Sequence, residues 1–274
     1  MRTARIGAWA GKYLAAFLAL FFFGLPLLWV VLTALKPTPL ITTKPPVWFF
    51  TPTLDHFKTI FLDKNIHIPL FNSFMISLGT TVLSLAVGAP AAYALARFRM
   101  KKKQQLAFWF LTARMTPPVV AAIPLYLTFR FLHLLDTHFG MILVYLTFSF
   151  PFAVWMLRGF FEDLPLEVEE AALIDGCSPF RTFRTIALPL IAPGLAATAI
   201  LCFIFAWNEF LFAIIFTGYS AKTLPVAALS FMTDRMVLWG ELSASAIVIF
   251  LPVAIFAVVV RKYLLKGLTM GSIK

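Results

Sequence analysis

An all-α protein that crosses a membrane several times is the fold class this sequence predicts, and three observations predict it. The chain is 61% hydrophobic and only 13% charged, with a mean hydropathy of +0.90, far from the composition of a soluble domain of its 274 residues. Six segments, at about 14–35, 70–96, 105–130, 139–158, 191–217 and 244–262, reach the roughly 20 apolar residues that a helix needs to cross a bilayer core. The basic residues flank those segments instead of lining one polar face, so the net charge of +11 reads as a topology signal and excludes a nucleic-acid stripe.

Each element has its own justification. Arg2, Arg5 and Lys12 precede an apolar run over 13–35 that is too long for the core of a cleaved signal, so it is expected to remain as the first span. A long loop at 36–69 leads to the second span, which ends in the basic turn Arg97, Arg99, Lys101, Lys102 and Lys103, an anchor for anionic headgroups. The third span carries Pro117-Pro118 close to Arg114, a pair expected to distort it, and a short loop at 131–138 precedes the fourth. A polar stretch at about 163–189 separates the fourth span from the fifth, and a second substantial loop at 218–243 precedes the sixth. No internal repeat stands out, and one transmembrane domain is expected over 1–274. With the N-terminus inside, fifteen of the 23 Lys and Arg residues fall in inner segments and six in outer loops, which makes both termini and the 163–189 stretch cytoplasmic.

That stretch, EAALIDGCSPFRTFRTIALP over 170–189, is built as a two-helix elbow. Pro165 suits a first turn, and Glu167, Glu169 and Glu170 sit near the positive end of the helix dipole. Gly176 is expected to end that helix in a left-handed cap. Ser178 can then cap a second helix that starts at Pro179, carries Phe180 and Phe183 on one face, and stops at Pro189.

Glu170, Ala171, Ala172, Gly176, Ile186, Leu188 and Pro189 stand at the spacing of the EAA loop of ABC importer permeases, and the chain resembles that family along its whole length. It is most similar to the second-permease type of the maltose-type, carbohydrate-uptake branch. Asn72-Ser73, Thr112 to Pro118, Trp207-Asn208-Glu209 and Gly267 to Gly271 are similar to stretches of that branch. The resemblance implies six transmembrane helices with a cytoplasmic helix-turn-helix coupling loop in a bacterial inner membrane. It implies one half of a two-permease core joined by two ATPase subunits and an extracytoplasmic solute-binding protein. ATP and Mg would sit on the ATPases, with no cofactor in this chain. The coupling residues would be the seven above together with Asp175, Pro179, Phe180, Arg181, Phe183 and Arg184, the two phenylalanines as apolar anchor and the arginines facing ATPase carboxylates.

Other residues invite weaker assignments. Arg114, about 13 Å deep by its place in the third span, is costly unless it faces a cavity or a partner, and with Asn208 and Glu209 it is a candidate for the substrate path or for a structural ion pair. Asp234, Arg235 and Trp239, in the outer 218–243 loop, are candidates for contact with the binding protein. His133, Asp136 and His138 read as a hydrated turn in preference to a metal cluster, and Cys177 and Cys202 as free thiols. The phosphate-binding pattern G-x-x-x-x-G-K-[ST] is missing, as are a zinc motif and a convergent nucleophile and base, so no catalysis is expected in this chain. By resemblance the substrate is a sugar, sugar derivative or polyol. An ABC permease for amino acids or peptides is the alternative, and a secondary transporter, which needs inverted repeats and midplane ion ligands, is more remote.

Overall fold

The structure, a computed structural model, describes the backbone of residues 2–233 and 236–270 and the side chains of residues 12–233 and 236–258. Helices carry most of it, and the described residues include no β-strand. Beside shorter turns, the main helices among the described residues are α1 Arg2–Leu35, α2 His67–Arg97, α3 Lys103–Met115, α4 Pro118–Phe131, α5 His138–Glu162, α6 Leu166–Ile174, α7 Pro179–Leu190, α8 Ala192–Trp207, α9 Leu211–Phe216 and α10 Trp239–Met270. Four of these are long and apolar enough to cross a bilayer alone, and the pairs α3 with α4 and α7 with α8 make six traverses if each bent pair counts as one.

Packing divides the chain into two units, Met1–Ile66 with Ala228–Leu251, and His67–Ala227 with Pro252–Lys274. In the first, α1 leaves Phe17, Leu20, Phe21, Phe22 and Phe23 exposed all round. Such a surface is stable only where lipid takes the place of water. Its inner anchor is polar. His56, buried in the loop that sequence placed outside, lies with Nε2 2.9 Å from the Lys36 carbonyl and Nδ1 3.3 Å from the Glu241 carboxylate. Gly240 is required there, since a Cβ would fall inside the His56 ring. Lys36 is itself buried, its ammonium 5.0 Å from the Trp29 ring and 5.2 Å from that of Phe50.

In the second unit α2 and α5 form the core pair. Gly79 lies against Ile142 and Gly88 against Ala153 and Val154, so the two helices run in the same direction. A Cβ at Gly88 would stand only 3.2 Å from that of Ala153, which is why glycine sits at this approach. One cluster around Tyr145, Met141 and Phe216 fills one end, and another around Tyr93, Phe161, Phe183 and Ala187 fills the other.

Two traverses that the sequence suggested as continuous spans are broken. The third bends by 89° between α3 and α4, because the residue before a proline leaves the helical region: Thr116 and Pro117 are both extended (ψ 126°) ahead of Pro117 and Pro118. The fifth, expected over 191–217, is interrupted over 208–210 before α9, and the 79° bend between α7 and α8 falls at its start, where the elbow joins it. Pro189 does not end the second elbow helix. A π-helical turn over Phe183–Ala187 places it in the first turn that follows, where no donor is needed, so the helix runs on to Leu190. The sixth span begins at Trp239, five residues before the expected boundary of 244.

Candidate functional site: the elbow and the latch

The elbow forms for the reasons its residues suggest. Pro165 precedes α6, and Gly176 adopts φ +86° just past its end. There Gly176 N–H donates to the Leu173 carbonyl (3.1 Å) and Cys177 N–H to that of Ala172 (3.0 Å), the paired closure of a Schellman motif. Ser178 Oγ accepts from Arg181 N–H (3.3 Å) and caps α7 at Pro179.

The two phenylalanines divide. Phe183 is buried, its ring 5.1 Å from Tyr93 and 6.1 Å from Phe161, so it packs the elbow onto the chain's own helices and is not a free anchor. It opens the π-helical turn Phe183–Ala187, three residues after Phe180. Phe180 is 68% exposed and Ile174 85%, and Leu166 and Leu173 are exposed too, so the elbow presents several large apolar side chains outward. Glu170, Asp175, Arg181 and Arg184 are exposed as well. Of the other expected coupling residues, Ala171 and Pro189 are exposed, Ala172 is buried, and Ile186 and Leu188 are half-buried.

Glu169, which the sequence placed only near the helix dipole, has a second role that the sequence reading did not assign. It is 5% exposed, and its carboxylate accepts from Tyr93 Oη (2.8 Å) and from Arg97 Nε (2.8 Å) and Nη2 (2.7 Å). The available signal was the i, i+4 spacing of Tyr93 and Arg97, which puts both on one face of α2.

Arg114 and Glu209 do not pair. At the bend after α3, the Arg114 guanidinium lies 4.5 Å from the Phe152 ring and 4.6 Å from the Phe205 ring, and donates to the Phe148 carbonyl (3.2 Å). Glu209 instead accepts from Phe212 N–H (2.8 Å) and Ala213 N–H (3.1 Å), capping α9. Exposed Asn208 donates to the Ile204 carbonyl (2.9 Å). Trp207 is fully buried and stacked on Phe203, a packing residue.

At the other end of the core pair, Asp136 organises a latch. Its carboxylate accepts from the N–H groups of Gly218, Tyr219, Ser220 and Ala221 at 2.8 to 3.0 Å. Partial burial pushes this carboxyl up, but the four donors outweigh it and hold it down at about 2. Asn72 Nδ2 donates to the Ser220 and Lys222 carbonyls, its Oδ1 lies 2.8 Å from His138 Nε2, and Ser73 Oγ accepts from Leu224 N–H. His133, Asp136 and His138 form no metal-binding group among the described residues. Trp239 is half exposed at the start of α10, while Asp234 and Arg235 lie outside the described residues.

The family model described as binding-protein-dependent transport system inner membrane component matches residues 84–270, which include the whole elbow. The chain belongs to that family. This permease is 37% identical over 251 residues to the sulfoquinovosyl glycerol transport system permease protein SmoH of Agrobacterium fabrum, covering 91% of this chain and 88% of the relative. It is 38% identical over 253 residues to the trehalose transport system permease protein SugB of Mycobacterium tuberculosis, covering 91% and 92%. Among solved structures, a bacterial ABC transporter involved in the import of the acidic polysaccharide alginate has a chain with the same fold, at a TM-score of 0.79 and 24% identity over 96% of this permease and 98% of that chain. Membership and apolar helices together make it a multi-pass inner-membrane protein.

Proposed function

We propose that this permease forms one half of the membrane channel of an ATP-driven importer for a sugar, sugar derivative or polyol, working by alternating access. The outward apolar face of the elbow carries the reading: Ile174 and Phe180 are large, exposed and held on a stiff scaffold, with Arg181 and Arg184 beside them to meet carboxylates. A cytoplasmic position for the elbow and both termini, where an ATPase is found, is supported by the excess of Lys and Arg in the segments on that side of the spans. A second permease, two ATPase subunits holding ATP and Mg, and an extracytoplasmic binding protein complete the assembly. The substrate class is supported by relatives named for sulfoquinovosyl glycerol, trehalose and diacetylchitobiose.

The translocation path is assigned to the two interrupted traverses, at Arg114 and at Asn208 and Glu209. Irregular backbone and polar groups at membrane depth are tolerated where they line a cavity or are buried in protein. Trp239, with Asp234 and Arg235, is assigned to the binding-protein face.

Reconstitution tests the reading. Proteoliposomes holding the complex should accumulate at least one of a panel of sugars, trehalose included, only with ATP inside. Ile174→Asp and Phe180→Asp should strip the ATPase from the purified permease pair. Uptake that persists without ATP and stops when ion gradients collapse would overturn the proposal.

A further inference from the structure

Helix α2 is gripped at both ends by polar groups, and the function so far uses neither grip. At its inner end the buried Glu169 carboxylate holds Tyr93 with one oxygen and Arg97 with the other, and Arg97 Nη2 also donates to the Leu164 carbonyl (3.0 Å). The Tyr93 ring packs on Phe161 at 5.3 Å and Phe183 at 5.1 Å, so one side chain touches both elbow helices and the end of α5. At the outer end, between 20 residues (Ser73 to Tyr93) and 25 residues (Asn72 to Arg97) along the helix and so roughly 30–38 Å away at 1.5 Å rise per residue, Asn72 and Ser73 hold the 220–224 backbone through three hydrogen bonds.

We propose that α2 is the shaft that carries elbow displacement to the outer latch, with Glu169 as the positioning residue that couples the two. This rests on the reading that an ATPase drives the elbow. Apolar packing alone resists compression and lets surfaces slide. A carboxylate held at both oxygens by charge-assisted bonds, away from water, resists shear and pull as well. Within α2, the tight approach of Gly88 to Ala153 supplies a pivot point, since two backbones in such contact rotate more readily than they part.

The test uses the assembled complex in nanodiscs, with MgATP against MgADP as the probe and hydrogen exchange of the Gly218 to Leu224 amides as the readout. In the unaltered complex MgATP should change that exchange. Tyr93→Phe keeps the ring packing and removes the hydroxyl, and Glu169→Gln removes the ion pair. Each should retain the bound ATPase while the nucleotide response at 218–224 falls about tenfold, as expected for loss of a hydrogen bond to a charged group. Asn72→Ala should silence the same response from the other end with exchange in α6 unchanged. A full response in Tyr93→Phe and Glu169→Gln overturns the proposal, and so does an unaltered complex that binds its ATPase yet shows no response at 218–224. Loss of assembly in both variants would make the clamp a folding contact and also overturns it. An unaltered permease pair that binds no ATPase sinks the functional reading instead.

Discussion

Gly176 adopts a φ of +86°, and nothing lies within 4 Å of where its Cβ would be, so the only objection to a larger residue there is the backbone itself. Gly176→Ala should therefore cost about 1 kcal/mol, the left-handed penalty alone, and leave transport nearly intact. Gly176→Pro, locked at negative φ, should break the turn and abolish permease-stimulated ATPase activity. Retained stimulation in the proline variant would show that the elbow does not couple.

Asp136 makes a pH prediction. Its folded value of about 2 lies below the ordinary 3.8, so its contribution is complete above about pH 4 and is lost as pH falls through 2. Exchange of the Gly218, Tyr219, Ser220 and Ala221 amides should accelerate across that window. Asp136→Asn should show the fast rate already at neutral pH, with a loss of roughly 1–2 kcal/mol. Arg114, over the rings of Phe152 and Phe205, depends on its planar shape as well as its charge. Arg114→Lys should lower stability by about 1 kcal/mol, read as a lower Tm of the purified complex.

Among the elements, the bent traverses have different causes. The bend after α3 follows from local chemistry, two prolines in succession, and Pro117→Ala with Pro118→Ala should let α3 and α4 approach one helix. Spin labels on either side of the bend should then move farther apart than in the parent, and an unchanged distance would place the cause elsewhere. The break after α8 has no proline. There Glu209 caps α9 and Asn208 closes α8, so the interruption rests on side chains bonding backbone. Trp207-Asn208-Glu209 was visible as a motif, but its capping role was not, because a glutamate in an apolar run reads equally as an ion-pair partner. The elbow was legible almost throughout, since Pro165, Gly176, Ser178 and Pro179 act through their immediate neighbours. The burial of Phe183 was not, because it is set by Tyr93 and Phe161, which are distant along the chain.

For the whole molecule, energy must reach the gate from outside this chain if the proposed function holds. Swinging a two-state gate from 1:99 to 99:1 takes about 5.5 kcal/mol of differential binding, which a stiff elbow can pass on and a loose loop cannot. Uptake in proteoliposomes should accordingly survive collapse of ion gradients and stop on ATP depletion. By itself the sequence determined that this chain lives in lipid and where the elbow turns, because hydropathy and proline or glycine geometry act over a few residues. Only the tertiary structure decided that Glu169 grips α2, that Arg114 lies over two phenylalanine rings and apart from Glu209, and that Asp136 holds a loop more than 80 residues away. Those partners are distant along the chain, and it is helix packing that brings a buried polar group to the one neighbour able to satisfy it.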